Sequence, residues 1–172
     1  MRLHFLLVAV LVLLGAASMS AQDSTQSSLP AVKIRNAAGE LVNTADLSKS
    51  DAPVVISFWA TWCKPCIQEL NTYHGLYEQW RKDLGVTVVA VSIDDSRNAQ
   101  KVPAFIKGRG WDFNVLLDVN GDFKRAMNVN NVPHTFLVKN GKIVWQHSAY
   151  AAGDEEDLER EIKKLLGRPT EG

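Results

Sequence analysis

Apolar residues fall along this chain in distinct rhythms. Val54, Val55, Ile56, Phe58 and Trp59 surround a single Ser57. A stretch that is β-branched or aromatic at nearly every position predicts a strand covered on both faces. From Cys63 the period changes. Cys66, Leu70, Tyr73, Tyr77, Trp80 and Leu84 recur at three- and four-residue steps and predict an amphipathic helix closed by Gly85. Residues 86–93 repeat the buried-strand pattern.

Weaker signals flank this centre. Residues 32–35 and 41–43, separated by Ala38, Gly39 and Glu40, predict a small hairpin. Residues 98–107 predict a helix with Pro103 in its first turns and Gly108 and Gly110 at its end. Residues 115–117 read as a short strand, and 118–131 as a loop with a helical turn around 123–127. Asn140 and Gly141 lie between the apolar runs 135–138 and 143–147, the clearest hairpin signal in the chain. Residues 154–166 begin acidic and end with Lys163, Lys164 and Gly167, as a helix should. Three strands, helix, strand, helix, three strands and a last helix predict an α/β fold: a central mixed sheet flanked by helices, with an N-terminal hairpin.

The first residues follow other rules. Arg2, the apolar run from Phe5 to Leu14 and the small residues from Gly15 to Ala21 predict a signal peptide over residues 1–21. The apolar stretch is shorter than the ~20 residues that cross a bilayer, so no stable membrane anchor is expected after cleavage. Residues 22–29 are mostly polar and read as a flexible lead-in, with one folded domain over 30–172. The chain has 172 residues, 19 basic and 19 acidic. That balance argues against a nucleic-acid partner.

Export would place Cys63 and Cys66 in an oxidising compartment. A disulfide between them closes a two-residue gap and constrains the unfolded chain little, so stapling is a weak motive. Chemistry is a stronger one. At i and i+3, where a buried strand gives way to a helix, two thiols share a face and can bridge. Unpaired amides and the helix dipole favour a thiolate at the first position. Cys63 is therefore the expected nucleophile and Cys66 the resolving thiol. Lys64 adds positive charge, and Pro65 sets the first turn. No second cysteine pair completes a zinc site, and His74, His134 and His147 lack ligand spacing. No metal or organic cofactor is expected.

Phe58-Trp59-Ala60-Thr61-Trp62-Cys63-Lys64-Pro65-Cys66 resembles the active-site segment of the thioredoxin superfamily. Val132-Pro133-His134-Thr135-Phe136 resembles its second signature. The apolar leader, the long insert over 98–131 and the segment Leu117-Asp118-Val119-Asn120-Gly121-Asp122-Phe123 make the match closer to the exported TlpA/ResA-like branch. That resemblance implies a thioredoxin fold and a cis Pro133 facing the dithiol, with Val132 offering backbone groups to a peptide substrate. Trp62, Lys64 and Pro65 would complete the substrate-facing surface. It also implies protein disulfide substrates, including cysteines of apocytochrome c, and electrons from a membrane thiol transporter. Cytosolic thioredoxins carry a buried Asp where this chain has Ser57. The exported branch often has a glutamate three residues after the second cysteine, and Glu69 stands there as the expected acid/base partner. Two other readings share these residues: an exported disulfide oxidase or isomerase, and a copper carrier using Cys63 and Cys66, with His134 as a possible third ligand.

Overall fold

The computed structural model describes residues 27–170. Seven strands form one sheet: β1 (Lys33–Asn36), β2 (Leu41–Asn43), β3 (Val54–Trp59), β4 (Thr87–Ser92), β5 (Asn114–Leu117), β6 (His134–Lys139) and β7 (Lys142–Ser148). Four α-helices accompany it: α1 (Lys64–Leu84), α2 (Val102–Arg109), α3 (Asp122–Ala126) and α4 (Asp154–Leu165). The strand order is β2-β1-β5-β4-β3-β6-β7, with β5, β4 and β3 mutually parallel and the outer pairings antiparallel. This is the mixed sheet that the sequence pattern predicts.

Every residue of β3 is buried, because each face meets its own core. Val55 and Trp59 point into one core with Leu70, Tyr73 and Trp80 of α1, Val102 of α2 and Leu158 and Ile162 of α4. Val54, Ile56 and Phe58 point into the other, with Phe123 of α3, Met127 and Ile34. Phe123 is fully buried, its ring centroid 5.2 Å from that of Phe58. Truncating it to Ala leaves a hole that the short α3 cannot fill. The expected cost is about 3–5 kcal/mol, read as a lower urea midpoint.

Local signals account for the boundaries. Helix α1 ends at Gly85, whose φ of 66° supplies the left-handed cap. Asn140 and Gly141 take φ of 51° and 72°, the positive angles of the tight β6–β7 turn. The helix predicted from residue 98 begins as a 3-10 turn, Ala99–Lys101, and becomes α-helical at Val102. Pro103 lies in the first turn of α2, where its missing amide proton breaks no helical bond.

Two features were not anticipated. Strand β1 pairs with β5 as well as β2, so the N-terminal hairpin is part of the main sheet. The folded chain also starts before residue 30. Leu29 is 6% exposed and its amide donates to the Gly141 carbonyl at 2.8 Å, while Ile143 N donates to Ser27 O at 2.9 Å. An apolar Leu29 seated against the hairpin explains why composition alone placed the boundary late. The leader and the first part of the lead-in lie outside the described residues.

Candidate active site

The site stands at the carboxyl end of β3, where the chain turns through Ala60, Thr61 and Trp62 into α1. Cys63 N donates to Ala60 O at 3.1 Å and closes that turn. Cys63 is the N-cap of α1, with extended backbone angles, and the Cys66 amide donates to its sulfur at 3.3 Å. Cys63 and Cys66 are joined by a disulfide, with Cα atoms 5.3 Å apart. Cys63 is 5% exposed and Cys66 fully buried. Around them Trp62 is 65% exposed, and Lys64 and Pro65 are exposed on the first turn. Trp59 lies buried in the same core as both cysteines, its ring 5.2 Å from Trp111 and 5.5 Å from Phe105.

Strand β6 brings up the second signature. Phe58 pairs with His134, so Pro133 sits one step further along, level with the end of β3 from which the cysteine turn departs. The Val132–Pro133 peptide bond is cis and Pro133 is buried. Val132 packs against the core that contains both cysteines. His134 turns elsewhere: it stacks on Phe136 with centroids 4.4 Å apart and its Nε2 lies 3.2 Å from Gln146 Oε1.

Beneath the dithiol lies Glu69, one helical turn beyond Cys66 and 1% exposed. A carboxylate so placed must find hydrogen-bond donors. Ser57 Oγ donates to Oε2 at 2.7 Å, Thr135 Oγ1 to Oε1 at 2.9 Å and Tyr73 OH to Oε1 at 3.1 Å. Three elements converge here: Ser57 and Thr135 are register partners on β3 and β6, and Tyr73 follows Glu69 by one turn of α1. Burial pushes the carboxyl from its ordinary 4.5 up to about 7, and the hydroxyl donors and His147 hold it from rising further. Loss of solvation outweighs three hydrogen bonds. The result is an acid that can take up or release a proton near neutral pH.

Two contacts escaped the sequence reading, that of the Ser57 hydroxyl with Glu69 and that of Asp94 with the cysteine turn. Ser57 is buried on β3, and its hydroxyl holds one oxygen of Glu69. Asp94, just past β4, accepts hydrogen bonds from Thr61 in the cysteine turn. Neither has a local sequence signal, since each partner is more than ten residues away. Among the described residues, no three His, Cys, Asp or Glu side chains cluster as a metal site, and no helix is long and apolar enough to cross a membrane.

The chain is similar to known proteins along most of its length. Residues 25–146 match the AhpC/TSA family. The chain is 30% identical to the thiol-disulfide oxidoreductase ResA of Bacillus cereus, over 95% of its own length and 96% of that protein. It is 34% identical to ResA of Bacillus subtilis over 70% of its length and 65% of that protein. Among solved structures, a thioredoxin-like protein from Porphyromonas gingivalis is 47% identical with a TM-score of 0.73, covering 81% of this chain and 92% of that one. A structure from Chlorobium tepidum, assigned as a DsbE thiol:disulfide interchange protein, is 30% identical with a TM-score of 0.71, covering 83% and 97%. With a Cys-x-x-Cys disulfide capping the helix after the central strand, and relatives of this kind along most of its length, the chain belongs to the AhpC/TSA family and is a thioredoxin-fold thiol-disulfide oxidoreductase of the ResA type.

Proposed function

We propose that this protein works as an exported reductant of protein disulfides, with Cys63 as nucleophile, Cys66 as resolving thiol and Glu69 as the proton acceptor and donor between them. The observation that carries the reading is the vertical order of the site: a sulfur at the helix N-cap, a buried second sulfur, and one turn below it a buried carboxyl that titrates near neutral pH.

In the reduced protein the helix end favours the Cys63 thiolate. It attacks one sulfur of a substrate disulfide, and the other leaves as a thiolate that takes up a proton. Cys66 passes its proton to the Glu69 carboxylate and attacks Cys63 Sγ, and the substrate's second sulfur leaves and is protonated in turn. Two electrons reach the substrate and the dithiol becomes the disulfide. Restoring the dithiol runs the same exchange backwards, with Glu69 returning its proton to Cys66. Val132, cis Pro133, Trp62, Lys64 and Pro65 form the surface that receives the substrate chain.

Residues 1–21 support export, and a reductant outside the cytoplasm needs electrons carried across the membrane, for which a membrane thiol transporter is the fitting partner. Cysteines of apocytochrome c are substrates that the family resemblance implies. The decisive measurement is the equilibrium reduction potential of the Cys63/Cys66 pair against glutathione and dithiothreitol, followed by tryptophan fluorescence. A value at or below about −270 mV, the level of thioredoxin, supports a reductant; one near −120 mV, the level of the oxidant DsbA, reverses the direction of electron flow.

A further inference from the structure

Asp94 is 1% exposed, and the reaction described above gives it no task. A buried carboxylate is costly unless its oxygens are satisfied. Here Oδ1 accepts from Thr61 Oγ1 at 2.6 Å, and Oδ2 accepts from Thr61 N at 2.9 Å and from Ser92 Oγ at 2.8 Å. None of these donors is a cation, and no ion pair among the described residues includes Asp94. Two of the three bonds go to one residue, by backbone and side chain together. That residue is the second of the turn that Cys63 N and Ala60 O close. Asp94 is itself fixed from behind, because its amide donates to Ser92 Oγ at 3.1 Å and Ile93 N donates to Trp59 O at 2.9 Å.

We propose that Asp94 is a positioning residue for the nucleophile: through its paired bonds to Thr61 it clamps the turn carrying Trp62 and Cys63, and so holds the Cys63 sulfur over the amino terminus of α1. The proposal rests on the reading of Cys63 as the attacking thiol. Cys63 owes its thiolate character to the amides at that helix end, and a dipole's influence fades within the first turn. A turn free to drift would carry the sulfur off this position, lowering the thiolate fraction.

Iodoacetamide alkylation of Cys63 in the reduced full-length protein reads the effect directly. Thr61→Val removes the hydroxyl that binds Oδ1 and is expected to slow alkylation at pH 7 about tenfold. Thr61→Ser keeps that hydroxyl and is expected to stay within twofold of the parent. Asp94→Ala should reproduce the loss, and adding Thr61→Val to it should cost nothing more, as two members of one clamp require. An unchanged or faster rate in Thr61→Val, or a Thr61→Ser as slow as Thr61→Val, overturns the proposal. Should Asp94→Ala fail to fold, the Thr61 pair alone decides. Alkylation consumes no disulfide substrate, so a protein unable to reduce disulfides would refute the reductase reading without altering this result.

Discussion

Glu69→Gln is expected to make the oxidised protein more stable at pH 8, by about 3 kcal/mol, while changing little at pH 4. Below pH 4.5 the carboxyl is protonated in both the folded and the unfolded chain. Between 4.5 and about 7 the folded protein keeps a proton that the unfolded chain has released, so stability falls as pH rises. The slope is about 1.4 kcal/mol per pH unit, and it levels off above 7. Gln has no charge to bury, and the Ser57 hydroxyl can turn to accept from its amide. Urea unfolding of both proteins from pH 4 to 8 checks this; a parent slope that persists in Glu69→Gln assigns the titration to another group. The same substitution removes the proton acceptor for Cys66. Turnover should drop about 10²-fold and lose its inflection near pH 7.

Cys66→Ser should arrest the reaction halfway. With Cys63 free to attack and nothing to displace the product, the protein accumulates as a mixed disulfide with a model disulfide peptide, visible as a covalent adduct by mass spectrometry. Cys63→Ser should form no such adduct, since the remaining thiol is fully buried beneath the turn. Multiple-turnover reduction falls to background in both. Equal capture by Cys63→Ser would mean that Cys66 reaches the substrate, and the two roles would have to be exchanged.

The legible parts of this protein were those written in short windows. The helix that begins after Cys63, the Asn140–Gly141 turn and the buried β3 each follow from periodicity or turn chemistry within a few residues. Glu69 was legible through the resemblance to the exported branch, in which a glutamate often stands three residues after the second cysteine. What surrounds it was not: Ser57, Tyr73 and Thr135 meet around one carboxyl because β3 and β6 pair in a particular register and α1 lies across them. Register between strands almost eighty residues apart is set by the packing of the whole sheet, and no local pattern encodes it. The same holds for the β1–β5 pairing and for Asp94, whose partner Thr61 is 33 residues away. Leu29 was misplaced for the opposite reason, a single apolar residue in a polar stretch whose docking depends on a hairpin more than a hundred residues later.

The three hydroxyls around Glu69 carry one further consequence. A hydroxyl is donor and acceptor at once and changes role by rotating about a single bond. When the carboxyl gains a proton, Ser57, Thr135 or Tyr73 can swing to receive it without any heavy atom leaving its place. The pocket thus resembles a capacitor with fixed plates: charge enters and leaves while the frame stands still, and almost nothing has to be rebuilt between one cycle and the next.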